Sequence, residues 1–235
     1  MNSKITEKLV INGMDDVVIF DGIDFTKKAY VEIVNATEVI IRNCRIYGIE
    51  GTGSSQDYWL KVASDIEVKI VIEDCFFGAN AKSVYNLIEP HCYIKDGSSF
   101  SNNYFTADSC NHNYINIYGA VEGAEITIKE NIFEESDGSV RIGTKGEPKC
   151  RINFVRNTVL ADRLNAGKWT GLVCVQPFGN ATSTFKNMTI VMDGNECVNE
   201  QQIYAYYVAS SMILDKTMMP IVIIDGKISD VIILN

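Results

Sequence analysis

The chain has 235 residues, 46% of them hydrophobic and 22% charged, with 4 Pro. That is enough sequence for one elongated domain with a continuous core, and too little compositional bias for disorder. A net charge of −9 argues against nucleic acid as the main partner, since neutralising phosphates takes clustered Lys and Arg; no apolar run approaches the roughly 20 residues of a membrane helix.

The opening, Met1-Asn-Ser-Lys-Ile-Thr-Glu-Lys, is polar and carries no secretory leader, so folding in a cytoplasm is expected. Residues 1–15 precede the first regular repeat and are read as an N-terminal cap or docking segment, with Leu9-Val10-Ile11 and Met14 supplying its apolar side. From residue 16 one grammar returns eight times. Two or three alternating apolar residues are broken by a short polar corner, and an apolar residue follows. Ile126-Thr-Ile-Lys-Glu-Asn-Ile-Phe133 is the clearest copy; Val18–Phe25, Val39–Ile46, Ile70–Phe77, Ser98–Phe105, Ile152–Val159, Ile190–Cys197 and Ile221–Ile228 are the others.

Superposed, the copies give columns. One is Phe20, Ile41, Ile72, Phe100, Ile128, Phe154, Met192, Ile223. Five residues on lies a second: Phe25, Ile46, Phe77, Phe105, Phe133, Val159, Cys197, Ile228. Between them runs a corner column: Ile23, Cys44, Cys75, Asn103, Asn131, Asn157, Asn195, Gly226. The second column is spaced by 21, 31, 28, 28, 26, 38 and 31 residues. A period in this range signals stacked units, and alternation by two makes each unit a turn of strands rather than a pair of helices. After each copy comes a further strand, over 30–35, 59–63, 84–88, 114–118, 139–143, 172–176 and 203–208. Alternation turns Val31, Ile33, Leu60, Val62, Ile115, Ile117, Val140 and Ile142 inward. It leaves Glu32, Lys61, Asn86, Asn116 and Arg141 on one outer ribbon.

This pattern resembles the right-handed parallel β-helix of the pectate-lyase-like superfamily, from about residue 16 to residue 230, as architecture only. The resemblance implies an all-β, single-stranded solenoid of seven or eight coils, about 40 Å long at ~4.8 Å per coil. Asn in the corner column is read as tolerating left-handed backbone angles and bonding from coil to coil. Residues 16–235 form the solenoid, with 209–235 as last coil and C-terminal cap; the apolar run Val231-Ile-Ile-Leu suits a cap or a subunit contact.

Polysaccharide-cleaving members of the superfamily place their chemistry on the outer ribbon. A lyase site needs an acidic cluster for calcium beside a basic residue, and a glycosidase needs paired carboxylates. Here the ribbon offers scattered Glu32, Lys61, Asn116 and Arg141, and the Asn-Thr-Asp, Gly-Asp-Asp, His-Gly and Arg-Ile-Lys signatures are missing. No catalytic residue, cofactor or metal is expected. Seven Cys (44, 75, 92, 110, 150, 174, 197) show no zinc spacing; Cys44 and Cys75, which share a column on neighbouring coils and could lie close, are read as small buried thiols rather than a disulfide, and His91 beside Cys92, and His112 near Cys110, do not make a convincing nucleophilic pair. Lys61, Asn116 and Arg141, with Trp59 and Trp169 as stacking aromatics, form a speculative glycan or partner surface. The expectation is a non-enzymatic structural component of a virus or phage particle (capsid decoration, tail or fibre), assembling with copies of itself or other virion proteins. The alternative is a carbohydrate-binding or polysaccharide-cleaving β-helix.

Overall fold

The computed structural model of the chain describes residues 3–12, 16–26, 29–47, 58–63, 65–78, 86–106, 114–134, 140–144, 149–160, 173–177, 185–197, 205–208, 219–229 and 232–234. The described residues are all-β, with no helix. Strands fall into three sheets, and along each main path they follow one another in chain order. The nine-stranded sheet holds Leu9–Ile11, Val31–Ile33, Tyr58–Val62, Asn86–Pro90, Ile115–Ile117, Val140–Thr144, Val173–Pro177, Ala205–Val208 and Ile232–Leu234. The eight-stranded sheet holds Ser3–Ile5, Ile23–Phe25, Arg45–Ile46, Phe76–Phe77, Tyr104–Phe105, Ile132–Glu134, Thr158–Leu160 and Glu196–Cys197. The eleven-stranded sheet runs through Val17–Asp21, Glu38–Arg42, Glu67–Glu73, Ser98–Ser101, Glu125–Lys129, Arg151–Val155, Thr189–Asp193, Ile221–Ile224 and Lys227–Ser229. Tyr93–Ile94 and Gly119–Ala120 attach along its middle.

Pairing is parallel everywhere except in the final hairpin, and its register reproduces the columns of the sequence. Phe20 pairs with Ile41, Ile41 with Ile72, Ile72 with Phe100, Phe100 with Ile128, Ile128 with Phe154 and Phe154 with Met192. The second column pairs likewise from Phe25 to Cys197. Strict alternation is the cause: in Glu125–Lys129 and Arg151–Val155 the second and fourth residues are buried while their neighbours face outward. Each inward residue meets its counterpart on the next pass, and the side chains form one continuous apolar core. Within it Phe77, Phe105 and Phe133 stack nearly face on, with centroids 4.6 and 4.9 Å apart.

Corners explain why the passes repeat. The residue just before the corner column is left-handed at every pass: Gly22, Asn43, Asp74, Asn102, Glu130, Arg156 and Gly194 have φ between 51° and 65°. Gly, Asn and Asp, which tolerate this region best, fill five of the seven places. The Asn column itself is not left-handed, which corrects the sequence reading; those residues are selected for their amides. Oδ1 of Asn103, Asn131, Asn157 and Asn195 each accepts the backbone N–H of the corner residue one pass earlier, at 2.9–3.0 Å. Nδ2 of the same four donates to Ile72, Phe100, Ile128 and Phe154 carbonyls, at 2.8–2.9 Å. Nδ2 of Asn103, Asn131 and Asn157 also reaches the next Asn Oδ1. The amides thus satisfy backbone groups that the sharp corner would otherwise bury unpaired.

The last copy departs from expectation. Met192 pairs with Ile224 rather than Ile223, so the phase slips by one residue. Asp225 and Gly226 both take positive φ (47° and 75°), which makes a two-residue reversing turn instead of a single left-handed corner. The chain folds back antiparallel, Ile224 opposite Lys227, and Ile228 is 83% exposed rather than a member of the second column. At the other end, residues 3–5 and 9–11 already carry the pattern, pairing in parallel with 23–25 and 31–33. Ile232–Leu234 pairs with Tyr206–Val208; residues 209–218, the first part of the segment expected as last coil and cap, lie outside the described residues.

Candidate functional site

The ribbon named from sequence is a row of the nine-stranded sheet. Val10 pairs with Glu32, Glu32 with Lys61, Lys61 with Glu89, and Asn116 with Arg141; Ile88 opposite Ile115 sets Glu89 beside Asn116. Lys61, Asn116 and Arg141 are therefore brought onto one line, across consecutive passes. Asn86 is not on it: its partner is Tyr58, and Glu89 takes the place assigned to Asn86. The sequence signal missed was Pro90, which ends that strand two residues later than the apolar run suggests.

Charges along the row are partly spent on one another. Glu32 sits between Lys8, 2.7 Å away, and Lys61, 3.7 Å away. The hydrogen bond from Lys8 holds the Glu32 carboxyl below the usual glutamate range. Held as a carboxylate between two ammonium groups, Glu32 is a poor general base.

Two members of the proposed surface are not at the surface. Asn116 is fully buried rather than on an open ribbon, and neither its Oδ1 nor its Nδ2 has a hydrogen-bond partner. Trp59 is also fully buried. Alternation would face it outward with Lys61, but Tyr58, Trp59 and Leu60 are buried in succession and the indole lies in the core. There it lies edge-on to Phe25 and Phe77, at 5.0 and 5.7 Å. It cannot stack on a sugar. Trp169 and His112 lie outside the described residues, as do the side chains of Arg141 and Glu89. His91 sits edge-on to the rings of Tyr58 and Tyr118, and burial pushes its neighbour Cys92 up to about 12, far from a nucleophilic thiolate.

A pair of stacked outward-facing aromatics lies instead on the eight-stranded sheet. Phe76 and Tyr104 are ladder neighbours whose rings stack at 5.8 Å and 22°, with Phe76 38% exposed. Tyr104 Oη donates to the Glu134 carboxylate, and this bond raises the phenol's pKa. Arg45, exposed, precedes Phe76 in the same row. The signal was present in the doubled aromatics Phe76-Phe77 and Tyr104-Phe105: where Phe77 and Phe105 point inward, the preceding ring must point out.

Among the described residues no group of three His, Cys, Asp or Glu is placed to hold a metal ion, and no helix is long and apolar enough to cross a membrane. No protein-family model matches the chain, and neither does any curated protein or any solved structure.

Proposed function

We propose that the chain is a right-handed parallel β-helix of the pectate-lyase-like architecture. On this reading it serves as a rigid, non-enzymatic assembly element of a virus or phage particle. The chain-ordered parallel sheets support the solenoid, and the strong preference of parallel crossovers for one hand supports its handedness. The particle setting rests on analogy at the level of architecture.

One observation carries the assembly role. Ile5, Leu9 and Ile11 are only partly buried, whereas their ladder partners Phe25, Val31 and Ile33 are wholly so. Beside them Val17 and Ile19 are 44% and 54% exposed on the outer side of Val17–Asp21. Core and strand edge at this end invite a further layer, from a second copy or a neighbouring structural protein. Light scattering of the purified chain at micromolar concentration should return a multimer, and Val17→Lys with Ile19→Lys should shift it toward monomer. A strict monomer at every concentration would remove the reading.

A second reading, glycan binding, is favoured by Phe76 and Tyr104, whose stacked rings with Arg45 alongside form the kind of surface on which a sugar face packs. Titration with neutral and uronate oligosaccharides should show binding that Phe76→Ala and Tyr104→Ala each weaken at least tenfold. Binding that ignores both substitutions would place any glycan elsewhere.

A further inference from the structure

The two cysteines of the corner column behave differently from the asparagines that follow them. Cys44 and Cys75 occupy the same corner position on successive passes, since Arg45 pairs in register with Phe76. Each thiol stands in for an asparagine amide. Cys44 Sγ lies 3.6 Å from Phe20 O and 3.1 Å from Arg42 O, and Cys75 Sγ lies 3.6 Å from Ile41 O and 3.2 Å from Glu73 O; Phe20 O and Ile41 O are the counterparts of the Ile72 carbonyl that Asn103 Nδ2 bonds. Each sulfur also faces the backbone N–H of the corner residue one pass earlier, Ile23 for Cys44 and Cys44 for Cys75. Both are free and buried. Neighbouring parallel strands lie about 4.8 Å apart, inside the roughly 4.4–6.8 Å between Cα atoms that a disulfide spans.

We propose that Cys44 and Cys75 are a latent cross-link, a thiol pair that a peroxide converts to a disulfide joining two successive passes at the corner. The Cys44 thiolate attacks one peroxide oxygen, the O–O bond breaks, and hydroxide leaves to take up a proton as water. This gives a sulfenic acid on Cys44. Cys75 Sγ then attacks Cys44 Sγ, the S–O bond breaks, and a second water leaves with the Cys75 proton. Two thiols lose two electrons and two protons, and one peroxide becomes two waters.

The assignment of roles follows from the surroundings. The neighbouring Cys75 thiol, with help from the Ile23 N–H, holds the Cys44 thiol below the ordinary range. Cys75, beside Cys44 and desolvated, is pushed up and stays protonated. Each sulfur is one residue from an exposed corner residue, Asn43 or Asp74, so a small oxidant has a single layer to cross. Cys92 and Cys150 lie outside this column, and burial raises both, to about 12 and about 11.

The test uses the full chain, purified under reductant, exposed to hydrogen peroxide in native buffer, alkylated, and digested without reduction. The expected product is the Cys44 peptide joined to the Cys75 peptide, two hydrogens lighter than the pair and released by dithiothreitol. Cys92 and Cys150 should be recovered alkylated. The cross-linked protein should melt about 5–10 °C higher than the reduced one. In Cys75→Ser no link should form, and Cys44 should be trapped by dimedone as a sulfenic acid. Recovery of Cys44 and Cys75 both alkylated after peroxide, or of Cys44 joined to any other cysteine, overturns the proposal.

Discussion

Asn131→Ala should lower the unfolding free energy by roughly 3–5 kcal/mol, more than any surface substitution in the chain. Asn131 is buried at the centre of the amide ladder. Its Oδ1 accepts from the Asn103 backbone N–H and from Asn103 Nδ2, and its Nδ2 donates to Phe100 O and to Asn157 Oδ1. Alanine removes all four bonds and leaves the Asn103 N–H and one bonding direction of the Phe100 carbonyl facing a methyl group. Each such orphan costs about 1–3 kcal/mol. Urea titration followed by circular dichroism measures the loss. Asn131→Asp keeps the acceptor but offers at most one donor and buries a charge at neutral pH. A carboxyl buried in this way titrates above its unfolded value of about 4, so the deficit of this variant should be smallest below that pH and grow as pH rises. A loss under about 1 kcal/mol for Asn131→Ala would mean that the corner amides are decoration.

The second large effect is expected at Phe105. Its ring lies between those of Phe77 and Phe133, with Tyr114 tilted against it at 5.1 Å, and it is fully buried. Phe105→Ala opens a cavity walled by the rings of Phe77 and Phe133 on two neighbouring strands and of Tyr114 just before a third, which have little room to collapse, so a loss of about 3–5 kcal/mol is expected. Phe105→Leu, which keeps most of the volume, should lose much less. Near-ultraviolet circular dichroism should weaken with the alanine variant, because the stack is broken at its centre. If the alanine and leucine variants were equally stable, the column would not be a packed stack at all.

The main columns were readable because period-two alternation and a fixed distance from corner to core survive in the residue types themselves. Phe100, Ile128 and Phe154 need no structural information to be placed above one another. The Asn column was equally visible and its bonding from pass to pass is as expected, but the left-handed angle belongs to the residue before it; the two features occupy adjacent residues and only coordinates separate them. The outer ribbon was harder. Lys61, Asn116 and Arg141 fall in one row as expected, but whether an outward position stays open depends on what lies over it, and alternation says nothing of that; hence buried Asn116. Trp59 failed because alternation does not hold at the start of its strand, where Tyr58, Trp59 and Leu60 are all buried. The last copy failed because one extra left-handed residue, Asp225 beside Gly226, changes a corner into a reversal while leaving the apolar pattern nearly intact.

The left-handed residue and the amide beside it recur at one fixed phase of every pass from Asn102 to Asn195, while the spacing between corners varies freely. Phase is thus reset at each corner rather than carried along the chain. Growth or loss of material elsewhere in a pass leaves the neighbours in step, and excision of an entire period, such as residues 103–130, would join Asn102 to Asn131 with all columns still aligned. On the solenoid reading proposed above, the molecule's length is accordingly an adjustable trait, separable from its cross-section.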